Sequence, residues 1–129
     1  MKILATDLDR TLLPNGSWPS DRGAIPLFNQ LTAQHDLLVV YVTGRNLELV
    51  ESAIAQYGVR YPHVLIGDVG TTIRRHADGA WSFDEGWVSH VRAASPRWDQ
   101  EAIRQALQGV PGLRRTEEHT SELQSQFRI

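Results

Sequence analysis

The run Leu37-Leu38-Val39-Val40-Tyr41-Val42-Thr43 constrains this chain more than any other feature. Its apolar residues are continuous rather than alternating, the pattern of a strand covered on both faces within a parallel sheet. Segments of helical character flank it. Before it, Leu12–Arg22 is dense in turn formers, and Ala24–Gln34 then tolerates Pro26 in its first turn and sets Leu27, Phe28 and Leu31 on one face. After it, Asn46–Tyr57 brings Leu47, Val50 and Ile54 together and stops at Gly58, a residue suited to closing a helix.

Lys2–Thr6 predicts a first buried strand and Val64–Ile66 a third short one. Thr71–His76 and Trp81–Phe83, flanking Ala77-Asp78-Gly79-Ala80, predict a β-hairpin. Strands joined through helices imply right-handed crossovers. The fold class expected is α/β, a Rossmann-like parallel sheet with helices on both faces. In such sheets ligands gather beyond the carboxyl ends of the strands. The loops beginning at Asp7 and Thr43 both lie there.

The first of those loops carries the chemistry. Asp7-Leu8-Asp9-Arg10-Thr11-Leu12 sets two carboxylates one residue apart on a turning segment, so both can reach one small ligand. One carboxylate can attack phosphorus and split hydrolysis into two easier steps. The other can protonate a leaving alcohol and then take a proton from water. A divalent, oxygen-seeking cation would offset the charge. A phosphate would depend on local donors, because the formal net charge is −2 and the only lysine is Lys2. The same balance offers no basic field to nucleic acid or anionic lipid. With no cysteine, disulfides and thiolate-metal sites are excluded. The N-terminal apolar run is too short for a signal peptide or a membrane helix, so no membrane partner is expected and the cytoplasm is the default location.

Asp7-Leu8-Asp9-Arg10-Thr11 resembles the first signature of haloacid dehalogenase-like phosphatases, Asp-x-Asp-x-Thr. Thr43 resembles their second, a lone Thr or Ser after a hydrophobic strand. Thr43-Gly44-Arg45 and Ile66-Gly67-Asp68-Val69-Gly70-Thr71 are similar to the sucrose-phosphatase-like branch. The resemblance covers roughly the first 75–115 residues. It implies magnesium-dependent hydrolysis of a sugar phosphate, with Asp7 as nucleophile and Asp9 as general acid/base. It also implies Mg2+ held by the Asp7 carboxylate and the Asp9 carbonyl, with phosphate bound by Thr43, Gly44 and Arg45. Arg10 stands where the family often has glycine. Asn46 is a candidate for the sugar, and equally for a helix N-cap, as Arg45 is for an exposed helix-start residue.

The family also has a downstream lysine and an acidic pair that this chain lacks. The organisation expected is therefore a core at 1–80, the start of an α+β cap at 81–115 including a helix about Asp99–Gln108, and a tail at 116–129. Thr116–Ser125 resembles a translated sequencing adapter. The fragment so read is expected to be inactive by itself. Two other classes stand beside this one: a non-catalytic phosphatase-like domain that binds a sugar-phosphate synthase, and a phospho-acceptor receiver. The histidines 35, 63, 76, 90 and 119 show no metal-ligand spacing and are expected at the surface.

Overall fold

The computed structural model describes residues 2–15, 21–97 and 99–113. In chain order they form β1 (Lys2–Thr6), α1 (Ala24–Gln34), β2 (Leu37–Val42), α2 (Leu47–Tyr57), β3 (Val64–Gly67), β4 (Thr72–Ala77), β5 (Ala80–Phe83), α3 (Glu85–Ala94) and α4 (Gln100–Leu107). The adapter-like stretch and Trp98 lie outside the described residues. Two compact units emerge, Met1–Ser89 and His90–Ile129.

The first unit is built on one five-stranded sheet in the order β1-β2-β3-β4-β5. β1, β2 and β3 are parallel, with Thr6 opposite Tyr41 and Val42 opposite Ile66. The α/β class is as expected. The expected hairpin continues the same sheet: β4 pairs antiparallel with β3, and β5 antiparallel with β4. Asp78 (φ 52°) and Gly79 (φ 76°) make its turn, and two left-handed residues in succession suit the twist of a tight hairpin. The first compact unit continues past this hairpin to Ser89.

One face of the sheet is the core. Val39, Tyr41 and Leu65 point to it and meet Ile25 of α1 and Val50, Ala53 and Ile54 of α2. Each large apolar side chain buried this way contributes about 1.5–3 kcal/mol. Among the described residues, α1 and α2 share this face. The cause is topological, because successive right-handed crossovers that step in one direction across a sheet stack their helices on one side. On the other face Ile3 is 66% and Val42 42% exposed.

The inward stripe of α1 differs in part from the expected one. Ile25 and Thr32 are buried and Phe28 packs against the core, while Leu27 and Leu31 face solvent. Thr32 is tolerated there because its hydroxyl donates to the Phe28 carbonyl at 2.7 Å. In α2 the inward residues are those expected, and Gly58 closes the helix in a left-handed conformation (φ 66°). His63 is not a surface residue: half-buried, it accepts the Val39 N–H on Nδ1 at 2.9 Å. His76 is half-buried too, stacked on Tyr61 with ring centres 4.4 Å apart.

In the second unit α4 starts at Asp99, whose carboxylate accepts from the N–H groups of Glu101 and Ala102. Ile103, Ala106 and Leu107 are exposed. Among the described residues no helix is long and apolar enough to cross a membrane.

Candidate active site

Leu8 explains how two adjacent-but-one carboxylates come to share a site. Its side chain is fully buried, as is that of Leu13. Its carbonyl accepts from the N–H groups of Thr11, Leu12 and Leu13 at 3.3, 3.1 and 2.8 Å. In a segment leaving a strand, neighbours of an inward residue point the other way. Burying Leu8 therefore leaves Asp7 exposed and Asp9 only partly covered. The following residue, Arg10, takes a left-handed conformation (φ 59°), which accounts physically for a glycine being favoured at such a position.

The Asp7 carboxylate accepts the Thr11 hydroxyl at 3.3 Å. Asp9 is held far more firmly. Arg45 Nε donates to its Oδ1 and Oδ2 at 3.2 and 3.0 Å, and Arg45 Nη2 donates to Oδ1 at 2.7 Å. Asn15 donates its side-chain amide to Oδ1 and accepts the Arg10 N–H at 2.8 Å. Burial raises the proton affinity of Asp9, but the hydrogen bonds and charge of Arg45, with Asn15 and Arg10, outweigh it. The carboxyl sits below its ordinary value.

The second loop converges on the first because β1 and β2 are parallel neighbours. Thr43 is only 5% exposed, and its N–H donates to the Ile66 carbonyl at 2.9 Å. Its Oγ1 accepts the Arg45 N–H at 3.2 Å, which leaves the hydroxyl proton to donate to a ligand. Gly44 beside it is exposed. Asn46 takes the N-cap of α2, accepting the Leu49 N–H at 2.9 Å on Oδ1. Arg45 also donates from Nη1 to the Leu49 carbonyl at 3.1 Å, so its guanidinium lies along the helix start and faces Asp9.

The third loop is tied to the second through backbone. Asp68 N–H donates to the Arg45 carbonyl at 2.9 Å. A side chain at Gly67 would stand 3.1 Å from that same carbonyl, so this close approach favours glycine. The two residues sequence reasoning missed are Leu8 and Asn15. Leu8 was legible as an apolar residue between two acids, whereas Asn15 read only as a turn former.

A hard cation finds a partial fit. The exposed Asp7 carboxylate and the Asp9 backbone carbonyl are oxygen donors of the kind magnesium accepts, with water and phosphate supplying the rest. The Asp9 carboxylate is engaged by Arg45 and Asn15 instead. Among the described residues no group of three His, Cys, Asp or Glu side chains could hold a metal.

The chain matches the Sucrose-6F-phosphate phosphohydrolase family over residues 1–129. It is 32% identical over 127 residues to a HAD-like hydrolase of Nitrosococcus oceani, covering 98% of this chain and 33% of that protein. It is also 33% identical over 115 residues to a glucosylglycerol-phosphate synthase of Pseudomonas anguilliseptica, covering 79% of this chain and 15% of the synthase. Among solved structures it resembles the sucrose-phosphatase of Synechocystis in complex with sucrose and phosphate. That likeness has TM-score 0.65 and 19% identity, and covers 91% of this chain and 43% of the other. A haloacid dehalogenase-like hydrolase protein of Bacillus subtilis gives TM-score 0.62 and 20% identity, over 82% and 44% of the two chains. The chain thus spans about a third of the length of the Nitrosococcus relative. It belongs to the sucrose-phosphatase-like branch of the haloacid dehalogenase-like hydrolases.

Proposed function

We propose that a protein carrying this chain hydrolyses a sugar phosphate monoester through an aspartyl-phosphate on Asp7. The observation that carries the reading is the division of labour between the two acids. Asp7 is exposed with a single weak contact, as a nucleophile must be, while Asp9 beside it is fixed by a guanidinium and an amide. A Mg2+ ion held by the Asp7 carboxylate and the Asp9 carbonyl would screen the charge between carboxylate and phosphate.

In the first step an Asp7 carboxylate oxygen attacks phosphorus and the bond from phosphorus to the sugar oxygen breaks. The departing alkoxide takes the proton of Asp9. Without substrate, Asp9 is ionised. A bound phosphate dianion beside it raises its proton affinity, because adjacent negative charges disfavour another, so Asp9 takes up a proton from solvent as substrate binds. In the second step water attacks phosphorus, the bond from phosphorus to the Asp7 oxygen breaks, and the proton of the water passes to Asp9, by then the carboxylate that Arg45 stabilises. Phosphate leaves, Asp7 is again a free carboxylate, and Asp9 releases its proton to solvent. The Thr43 hydroxyl and the Gly44 N–H donate to phosphate oxygens throughout.

The test is Asp7→Asn in the protein extended to the length of its relatives. Loss of magnesium-dependent phosphate release from sucrose phosphate, with an unchanged fold, supports the assignment, and retained turnover refutes it. The 129 residues alone are expected to release no phosphate. Asp7, Asp9 and a dianion meet where Arg45 is already paired with Asp9, and each uncompensated pair of like charges near 4 Å costs about 4 kcal/mol at an effective dielectric of 20.

One observation favours a second reading, a phosphatase-like module associated with a sugar-phosphate synthase: the similarity to a segment of the glucosylglycerol-phosphate synthase. Phosphate release by the extended protein separates the two. The receiver alternative is set aside by the family to which the chain belongs.

A further inference from the structure

The turn after β3 holds a valine in a conformation valine avoids. Asp68, Val69 and Gly70 have φ of 51°, 58° and 85°, three left-handed residues in succession. Glycine accepts this region freely and aspartate tolerates it, but the branched Cβ of valine crowds the neighbouring carbonyl there. Strain of this kind persists only where the surroundings over-determine it. Here they do. Asp68 N–H is tied to the Arg45 carbonyl, the Asp68 carboxylate accepts from the Thr72 hydroxyl at 2.7 Å, and the Asp68 carbonyl accepts from the Thr71 hydroxyl at 2.8 Å. Trp87 Nε1 donates to the Gly70 carbonyl at 3.1 Å.

These bonds present an apolar side chain to solvent rather than to a core. Val69 is 84% exposed. Its Cγ2 lies 3.8 Å from where a side chain on Gly44 would begin, so the isopropyl group flanks the open turn of the phosphate-binding loop. Resting on the function proposed above, we infer that Val69 is a specificity-determining residue, an apolar wall against which the C–H face of the leaving sugar packs while its phosphate sits on Thr43 and Gly44. The clamped turn keeps the wall in place before substrate arrives, so no ordering is needed on binding.

Three variants of the extended protein test this: Val69→Asn, which accepts the left-handed conformation but removes the wall, Val69→Ile, which keeps both wall and strain, and Asp7→Asn as control. Val69→Asn should raise Tm by about 4 °C through relieved strain. It should lower kcat/KM on a disaccharide phosphate about tenfold and leave acetyl phosphate, whose leaving group is small, within about twofold. Val69→Ile should behave as the parent on both substrates. An unchanged preference in Val69→Asn, or a lowered Tm, overturns the inference while leaving the Asp7 assignment standing. Retained turnover in Asp7→Asn overturns that assignment, and the role of Val69 falls with it.

Discussion

Arg45 grips Asp9 with two nitrogens, Nε at 3.2 and 3.0 Å from the two carboxylate oxygens and Nη2 at 2.7 Å from Oδ1. Arg45 itself is anchored to the first turn of α2 through the Leu49 carbonyl. Asp9, the proposed acid/base, is thereby fixed to the helix that follows the proposed phosphate-binding loop. Planar, two-nitrogen recognition of this kind is not reproduced by lysine.

Arg45→Lys is accordingly expected to lower kcat by about 100-fold, the scale of a misplaced catalytic group, with KM for the phosphate substrate nearly unchanged. Steady-state kinetics of the extended protein check this. A raised KM with unchanged kcat would instead return Arg45 to direct phosphate binding.

The same pair predicts an acid limb in stability. The folded Asp9 has a proton affinity below its ordinary value, because Arg45, Asn15 and Arg10 together outweigh the opposing effect of burial. A depressed carboxyl contributes stability above its unfolded pKa and loses it as pH falls through the folded one. Tm of the 129-residue chain should therefore decline below about pH 4, and Asp9→Asn should flatten that decline. Equal slopes in the two proteins would contradict the pairing.

Tyr41 gives the opposite sign. It is wholly buried near the C-terminal end of β2, and its hydroxyl donates to the Arg60 carbonyl at 2.7 Å. Burial pushes its proton affinity up, against a smaller lowering by Arg60. Stability is therefore present below the unfolded tyrosine pKa near 10 and lost as pH rises beyond it. Tyr41→Phe should cost about 1–3 kcal/mol, the price of an unsatisfied buried carbonyl, and remove that alkaline loss. Chemical denaturation at neutral and alkaline pH measures both.

Leu8→Ala should be worse for the site than for any one contact. A fully buried leucine replaced by alanine costs about 2–5 kcal/mol. The carbonyl hub that turns the chain stays, but the anchor that aims Asp7 and Asp9 outward is lost. The expected outcome is a fall in both Tm and kcat, whereas Leu27→Ala on exposed α1 should move neither.

Much of the first unit was legible because its signals are local. The continuous apolar run at Leu37, the Gly58 stop and the Asp-Gly turn each act on their own neighbours, and the elements appear within a residue or two of the expected bounds. What was not legible depends on long-range choices. Sequence periodicity favoured Leu27 and Leu31 as the inward face of α1, yet the sheet selects Ile25 and Thr32, since a threonine can satisfy its hydroxyl within the helix. That β4 and β5 would extend the main sheet follows from pairing with β3, which no local signal encodes. At the site, Asp7, Asp9, Thr43, Gly44 and Arg45 come from loops at one end of the sheet, as expected. The grip of Arg45 on Asp9 spans 36 residues of sequence and could only be seen once the strands were side by side.

The claim that Asp7 is the nucleophile is tested most directly by trapping the intermediate. The extended protein, turning over sucrose phosphate with magnesium, is quenched into hydroxylamine, digested and read by mass spectrometry. An acyl-phosphate on Asp7 converts to a hydroxamate, and the account predicts that modification on the peptide containing Asp7, dependent on substrate and absent in Asp7→Asn. Turnover with no hydroxamate at Asp7, or with the modification on Asp9 or another carboxylate, would contradict it.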